Sequence, residues 1–513
     1  MPVHINQWRI LLTVVIGIFV CVFSLLGLWR HWNFLTSLND LGCFDQAIWM
    51  ASKGGSLENT SILGIPMNWL GFHFQPGLFL YAQLYKISPS VNWLIISQAT
   101  ALAISAWPIY LIAEQETASG KAAFIWSLAY LCNPFLLNSA AWDFHPVSLA
   151  APILSLGLLA IARKQTALLV FTCLLLLTLK EDMGLLVTGL GLLYGISARN
   201  WPAGISLSLL GFMVFAIVVF WVMPSFTGTG HHVFFSDHDL RFGRYSWMGS
   251  SPLDAATRII TSPVAISRIV FTDMGGFDYL LKLLVPFLFL PVLALTWLLP
   301  ALGDLVINLL SAVPLPRSIY SYHSITLIPL LTVAAIQGSN KLAQAEGWLA
   351  RDRFAAYILL MSAFLGYIHA PFPFPGSKNI WDPVSTIASR DERVPYITEM
   401  TGGGSLSVQA NVGSHFSQRA LLYRFPDKVG TADYIVLRLD NPSHRNRLLT
   451  HMLQMRADEY LELVRQLIID NEYGVIYWDN PWLVLQLGKD STENTSRILS
   501  RVESLRRSWN DAG

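Results

Sequence analysis

Long apolar runs alternate with short polar breaks over the first 370 residues, and this pattern predicts a bundle of membrane-spanning helices. The first run, Ile10 to Trp29, holds 20 uncharged residues, enough for a helix to cross a bilayer. The run from Phe74 to Ile87 is shorter and predicts a half-span or an interfacial helix. Further spans are predicted at 91–113, 121–140, 146–162, 166–179, 183–198, 203–223, 279–297, 299–313, 324–337 and 354–370, which makes roughly eleven crossings.

Some of these runs are short for a straight span. The pairs 166–179/183–198 and 279–297/299–313 are therefore also open to interpretation as broken or tilted helices buried among others. No small-residue cleavage site follows the first run, so we expect it to stay as an anchor.

The distribution of Lys and Arg predicts the orientation, because short cytoplasmic loops hold an excess of them. A cytoplasmic amino terminus places most basic short loops inside. The loops 31–90 and 224–278 and everything after residue 370 then lie outside the cytoplasm.

After Pro371 the pattern changes to short alternating runs, typical of a soluble α/β domain. Amphipathic helix is predicted within His444–Asp470. The expected division is a membrane domain over 1–370 and a small extracytoplasmic domain over 371–513. Strands are predicted at Leu406–Gln409, Ala420–Tyr423, Tyr434–Leu439, Val475–Tyr477 and Leu483–Leu487.

Composition agrees with a membrane protein, since 53% of the residues are hydrophobic and only 13% are charged. The net charge of +1 gives no basic footprint for nucleic acid. The four cysteines form neither a disulfide framework nor a thiolate metal pattern. The sequence therefore favours a multi-pass α-helical membrane protein.

Two acids follow the first span, at Asp40 and Asp45. On a helix, residues five apart diverge by about 140°, and Gly42 between them favours a bent loop instead. One carboxylate could then act as a base while the other holds a metal or an acceptor hydroxyl. The alternative is a solvated loop acid, or Asp40 as a helix cap with Gln46 in the first turn that follows.

Two histidines lie between aromatic residues at predicted span ends, each shortly before a proline. They are His73 and His145, and Asp143 stands two residues before the second. Each could hold a metal or a phosphate, or could simply belong to an aromatic belt at the membrane interface.

The segment Lys180-Glu181-Asp182 places three ionisable groups between two apolar runs. Such groups are costly at membrane depth and indicate function by default, although a self-neutralising connection is the alternative. The lysine suits a phosphate, and the two acids could balance it or bind a cation. A loop on the same predicted face adds Arg317, Tyr322 and His323.

On these segments the chain resembles a family of bacterial predicted integral membrane proteins, which are distantly similar to glycosyltransferases of the GT-C class. The resemblance implies a GT-C-like membrane domain in a bacterial inner membrane, with Asp45 or Asp40 as the catalytic base and Lys180 at a donor phosphate. The adjacent pair of acids common in that class is missing from the first loop. The segments that carry the resemblance are 40–46, 73–76, 143–146, 180–182, 407–410 and 417–419.

The function favoured is transfer of a sugar from a polyprenyl phosphate to a hydroxyl of a glycan, lipid or protein, with inversion. The absence of any nucleotide-binding motif agrees with a donor activated as a lipid phosphate. The alternatives are a transporter of lipid or solute and a non-catalytic scaffold for the cell envelope. The sequence points to no definite cofactor, although Mg²⁺ or Mn²⁺ could bind Asp143, His145, Glu181 and Asp182. The predicted substrate-binding set is Lys180, Arg317, His145, His73, Gln46, Tyr322 and His323, and we expect Asp45, His145 and Lys180 to share one cavity.

Overall fold

The computed structural model describes residues 7–227, 230, 232–235, 243–346, 349–378, 390–440, 453–470, 472–490 and 495–510. The chain forms two compact units. Unit 1 consists of Met1–Gly27, Leu70–Leu78 and Ile95–Val384, and unit 2 of Leu28–Trp69, Phe79–Leu94 and Ser385–Gly513. Unit 2 thus combines most of the predicted C-terminal domain with two segments from the amino-terminal part of the sequence.

Unit 1 is helical in its described residues, because its apolar runs satisfy their backbone polar groups internally. Pro or an Asn or Ser cap begins many of these helices, as at Asn133, whose side chain accepts from the backbone N–H of Phe135. Helices lie at Gln7–Trp32 and Asn92–Ile104, which both extend into unit 2, and at Ala106–Thr117, Gly120–Leu131, Pro134–Ala141, Ala150–Ala162, Thr166–Leu176, Met183–Ala198, Trp201–Ile217, Met223–Phe226, Pro252–Thr261, Pro263–Arg268, Gly276–Leu284, Leu302–Leu310, Leu327–Glu346 and Leu349–Ile368.

Shorter helical turns of tighter or wider geometry join these helices. Tight 3₁₀ turns occur at Pro146–Leu149, Val233–Phe235, Ser246–Met248, Val285–Phe287 and Leu315–Arg317, and π turns at Val218–Val222 and Ile269–Asp273. The 12-residue stretch Leu290–Ala301 is also 3₁₀-like and leads into the helix Leu302–Leu310.

Four helical stretches within the described residues are long and apolar enough to cross a membrane. They are Gln7–Trp32, Asn92–Thr117, Trp201–Phe226 and Leu290–Leu310. The expected runs at 146–162, 166–179 and 183–198 form shorter apolar helices. The figure of roughly eleven crossings stays a prediction.

The predicted boundary between 279–297 and 299–313 falls inside one apolar stretch, Leu290–Leu310. The chain breaks at Leu288 and Phe289 instead, whose φ values of 48° and 61° are left-handed. Helical structure resumes at Leu290, and Pro291 occupies the first turn, where its missing N–H costs little. A second break lies at Ala294, whose φ of −132° and ψ of 46° are not helical. This pair of predicted runs therefore contains a broken helix, which was the alternative left open above.

Small residues allow two of the helices to pack backbone against backbone. A Cβ on Gly211 would lie 2.5 Å from the carbonyl oxygen of Gly184, which a real side chain cannot do. The helices Met183–Ala198 and Trp201–Ile217 therefore approach as closely as glycine-lined membrane helices do.

Unit 2 contains seven strands in its described residues. Strands β1 to β7 are Glu58–Asn59, Met67–Asn68, Leu406–Val408, Leu422–Arg424, Tyr434–Arg438, Tyr473–Asp479 and Trp482–Leu487, of which the first two form a separate antiparallel pair. The other five form a sheet in the order β4-β3-β5-β7-β6. Strand β3 runs parallel to β4 and β5, whereas β7 is antiparallel to both β5 and β6. All five predicted strands are confirmed, with ends shifted by a few residues.

The two faces of this sheet bury different partners, as the alternation along β5 predicts. Ile435 and Leu437 pack against the helices Ala457–Ile469 and Thr495–Asn510. Val436 faces the other side and packs in a cluster with Phe34 and Leu38. The first part of the predicted helix region, 444–452, lies outside the described residues. The remaining helices of unit 2 are Cys43–Ser52, which follows a π turn at Leu38–Gly42, and Arg393–Thr401. Two further helices, Trp69–Phe72 and Leu78–Ile87, lie where the chain passes between the two units.

Candidate functional site

In unit 1 the segment 180–182 joins the helices Thr166–Leu176 and Met183–Ala198, close to its predicted position. The backbone N–H of Gly77 donates to the carbonyl of Thr178 at 2.8 Å. This bond holds the segment that carries His73 beside the segment that carries Lys180.

Glu181 connects these two segments directly. Its Oε1 lies 2.9 Å from Nδ1 of His73, and its Oε2 accepts from the backbone N–H of Phe74 at 3.1 Å. Lys180 forms an ion pair with Asp182. Burial raises the pKa of the Glu181 carboxyl, but attraction to His73 and Lys180 outweighs it and lowers that pKa to about 2. The acids of this cluster are therefore paired with cations or with histidine.

His145 is fixed by its backbone and by aromatic stacking. The backbone N–H of His145 donates to Oε1 of Gln98 at 2.9 Å. The ring atom Nδ1 lies 3.0 Å from the backbone carbonyl oxygen of Asp143. The ring stacks on Tyr322 with centroids 3.5 Å apart, and Tyr322 stacks in turn on His323 at 4.2 Å. Three predicted substrate-binding residues thus form one stack in unit 1.

Arg244 was missed by the sequence analysis. Its Nη1 donates to Nε2 of His323 at 3.1 Å, and its guanidinium lies 5.8 Å from the ring centre of Phe234. Its Nε is buried without a hydrogen-bond partner among the described residues. Burial, followed by repulsion from Arg244, lowers the pKa of His323 far below its usual range. The neutral imidazole can therefore accept from the guanidinium, and no carboxylate contacts this cation in the part of the chain that the structure describes.

Arg317 occupies a helix end. Its Nη1 donates to the carbonyls of Asn308 at 2.9 Å and Ser311 at 2.5 Å, at the carboxyl end of the helix Leu302–Leu310. A cation there satisfies carbonyls that have no helical partner. Its role at a phosphate stays a prediction.

The expected metal ligands do not form a metal centre within the described ranges. No group of three or more His, Cys, Asp or Glu side chains there is arranged to hold an ion. The backbone carbonyl oxygen of Asp143 lies 3.0 Å from Nδ1 of His145. Asp182 is instead paired with Lys180, and a second buried acid, Asp304, accepts from the hydroxyl of Thr326.

In unit 2, Asp45 is buried, with 1% of its surface exposed, and is held by three neutral donors. The hydroxyl of Ser417 donates to Oδ2 at 2.6 Å, while Tyr85 and Gln418 donate to Oδ1 at 2.7 and 3.3 Å. Burial raises the pKa of this carboxyl, although the three hydrogen bonds oppose the rise. An acid with this environment is a candidate base.

The bent loop expected around Asp40 and Asp45 is wrong. A π turn at Leu38–Gly42 leads directly into the helix Cys43–Ser52. Gly42 has helical angles, φ −67° and ψ −36°. Its missing Cβ serves close packing instead, because a Cβ there would lie 3.1 Å from Cα of Ser414.

Gln46 has a structural position. It is fully buried, and its Nε2 donates to the hydroxyl of Thr60 at 2.9 Å and to the carbonyl of Arg419 at 3.1 Å. Its Oε1 accepts from the backbone N–H of Thr60 at 3.1 Å. These bonds join the first-loop segment to the residues that precede β4 within unit 2, and a substrate-binding role for Gln46 stays a prediction.

Asp45 lies in the wall of a cavity of about 360 Å³ that is formed by unit 2 alone. His31 and His415 stack in another part of this wall, with centroids 4.0 Å apart. The cavity also contains Trp32, Phe34, Arg390, Asp391, Ser417 and Arg419.

The fold is similar to that of a solved GT-C-type membrane protein. The structure titled "Crystal Structure of ArnT from Cupriavidus metallidurans bound to Undecaprenyl phosphate" matches with a TM-score of 0.50 and 13% identity, over 94% of this chain and 98% of that one. The apo structure of the same protein matches with a TM-score of 0.50 and 13% identity, over 93% and 97% of the two chains.

The family described as "Predicted membrane protein (DUF2079)" matches residues 30–484, and the chain belongs to this family. No curated protein matches the sequence. The expected family resemblance and the GT-C-like fold are therefore confirmed.

Proposed function

We propose that this protein is a membrane glycosyltransferase that moves a sugar from a polyprenyl phosphate to an acceptor hydroxyl on the extracytoplasmic face, with inversion. The likeness to a fold whose solved structure contains undecaprenyl phosphate supports the donor class. The observation that carries the proposal is the environment of Arg244 in unit 1. Among the described residues, its Nε is buried without a hydrogen-bond partner, and no carboxylate pairs with its guanidinium.

The donor phosphate would bind Arg244 first. A guanidinium offers several N–H groups in a planar fork that suits phosphate oxygens. Lys180 is already balanced by Asp182, and Arg317 is engaged with helix carbonyls. A phosphate would therefore have to exchange with Asp182 to reach Lys180, whereas Arg244 needs no such exchange.

The acceptor hydroxyl would lose its proton to Asp45. The proton-accepting carboxylate is held by donors that carry no full charge, so they stabilise its anion less than a cation would. Its burial favours proton uptake, as a general base requires. The expectation that Asp45 meets His145 and Lys180 in one cavity stays a prediction.

Donor binding can be tested with the full chain in lipid nanodiscs and undecaprenyl phosphate as the probe. Arg244→Gln should weaken binding about tenfold or more, because a charge-assisted hydrogen bond is lost. Arg258→Gln is the matched control, since this exposed arginine donates to the carbonyl of Trp247. Lys180→Ala should also weaken binding, by less than Arg244→Gln. Equal affinity in the wild type and Arg244→Gln would remove the proposed donor site.

Transfer itself requires a second measurement. Wild-type protein in vesicles, supplied with sugar-bearing polyprenyl phosphates, should release the lipid phosphate and label an acceptor. Donor binding without transfer from any such lipid would favour the scaffold. Movement of the intact lipid between leaflets, without cleavage, would favour the transporter.

A further inference from the structure

The acids and the cations that line the cavity of unit 2 differ in their partners. Its two acids are fully engaged. Asp45 accepts from Ser417, Tyr85 and Gln418, as described above. Asp391 pairs with Arg393, whose Nε lies 2.8 Å from Oδ1, and Oδ2 also accepts from the indole of Trp482 at 2.9 Å.

The cations of the cavity lack such partners. Arg419 is 5% exposed and donates only to neutral oxygens in the described structure, the carbonyl of Gly404 at 2.9 Å and the hydroxyl of Thr401 at 2.8 Å. Burial lowers the pKa of Arg419 to about 10, which still leaves it charged at neutral pH. Arg390 is exposed, and its guanidinium lies 5.9 Å from the ring centre of Trp32. No described carboxylate pairs with either arginine.

The lining of the cavity holds two guanidiniums, of Arg390 and Arg419, and two carboxylates, of Asp45 and Asp391. Asp391 is already paired with Arg393, which lies outside the lining, so neither acid of the cavity is paired with Arg390 or Arg419 among the described residues. A desolvated guanidinium held only by neutral groups favours an anionic ligand.

Size and surface narrow the class of ligand. A cavity of about 360 Å³ lies at the lower end of the range for small-molecule sites, roughly 300–1,000 Å³. It combines the aromatic side chains of Trp32 and Phe34 with hydroxyl and amide groups from Ser417 and Gln418. Apolar ring faces beside hydrogen-bonding groups suit a sugar ring, which has both kinds of surface.

We propose that this cavity binds a saccharide unit that carries a carboxylate or a phosphate, with Arg390 and Arg419 at the anionic group and Asp45 at a hydroxyl. The binding of this saccharide does not depend on the proposed function. Only its role as the acceptor of the transferred sugar rests on that function. It also gives a role to the motif 417–419, whose arginine has no other assigned part in the chemistry. Carboxylated and phosphorylated sugars share the same contacts with the two guanidiniums.

The experiment is equilibrium binding to the full-length protein in nanodiscs without any donor lipid. The probes are glucuronic acid, glucose 6-phosphate, glucose and inorganic phosphate. At least one of the two anionic sugars should bind about tenfold more tightly than glucose and than inorganic phosphate, since a charged hydrogen bond and the ring contacts both contribute. Which of the two binds more tightly identifies carboxylate or phosphate as the natural group.

The variant Arg390→Gln should remove the tenfold preference, and Arg390→Lys should keep part of it. Arg390 is chosen because it is exposed, whereas the buried Arg419 could be needed for folding. Lys489→Gln, an exposed lysine outside the cavity, is the matched control and should bind like the wild type.

Three results would overturn the inference: glucose binding as tightly as the tighter of the two anionic sugars, inorganic phosphate binding as tightly as that sugar, or an unchanged preference in Arg390→Gln. Because no donor lipid is present, these results are independent of transfer. Sugar transfer to a neutral acceptor, with no anion preference in binding, would leave the proposed function standing and remove only this assignment.

Discussion

The carboxylates of Glu181 in unit 1 and Asp45 in unit 2 are stabilised in opposite ways. Glu181 pairs with His73 and is attracted to Lys180. Asp45 is surrounded by hydroxyl and amide donors. Opposite charges hold a carboxylate in its ionised form, whereas neutral donors combined with burial allow it to take up a proton. The contrast suits Asp45, rather than Glu181, to moving a proton.

The largest expected effect concerns the acid of unit 2. Asp45→Asn keeps the shape of the side chain but cannot accept a proton, so sugar transfer should fall by about 10²–10⁴-fold with little change in donor binding. Asp40→Asn is the internal control, because Asp40 is only half-buried and should retain near-normal transfer. Steady-state kinetics with both variants measure this directly. Loss of transfer in Asp40→Asn with normal rates in Asp45→Asn would assign the base to the other acid.

The second effect is a pH dependence that distinguishes His415 of unit 2 from Glu181 of unit 1. Burial lowers the pKa of His415 to about 4, from about 6.5 in an unfolded chain. Between these values only the unfolded chain binds the proton, so the free energy of unfolding should fall by about 3 kcal/mol as the pH drops from about 6.5 to about 4. Glu181 behaves differently, because its pKa is lowered from about 4.5 to about 2 in the folded chain. Its contribution to the free energy of unfolding is therefore complete above about pH 4.5 and is lost as the pH falls from about 4.5 to about 2.

Thermal unfolding of the full chain at pH 7 and pH 5 tests this dependence. His415→Gln keeps a donor for the carbonyl of His31, to which Nε2 of His415 donates at 2.9 Å, but it cannot titrate. Its stability should therefore vary less with pH than that of the wild type. The same pH slope in both proteins would show that His415 is not the group responsible.

The smallest expected effect concerns Arg317 of unit 1, which caps a helix end, in contrast to Arg244, which is proposed to bind the donor phosphate. Arg317→Gln should cost about 1–2 kcal/mol of stability, because carbonyls at a helix end lose a charged donor. Binding of undecaprenyl phosphate should stay within about twofold of the wild type, in contrast to Arg244→Gln. Unfolding and binding measured on the same preparation give both values. Weakened binding with unchanged stability would restore the phosphate role predicted for Arg317.

The periodicity of the sequence determined most of the local structure. Apolar runs located the helices of unit 1, and alternation located all five strands of the sheet, from Leu406–Val408 to Trp482–Leu487. Both patterns are local, because they record which side of a segment is buried. The same information identified Asp45, Lys180 and His145 as polar residues in unusual surroundings, but not what each of them contacts.

The tertiary structure alone decided the partners. Ser417 donates to Asp45 from 372 positions away, and Glu181 is 108 positions from His73. Arg244 lies in a loop whose sequence has no distinguishing pattern. In the fold it contacts His323, and no carboxylate among the described residues pairs with it. The partner of a polar group depends on which distant segments pack together and which of them leave room, as Gly42 does for Ser414. Periodicity along one segment carries no record of that packing, so the sequence identified candidate groups and only the folded chain determined their chemistry.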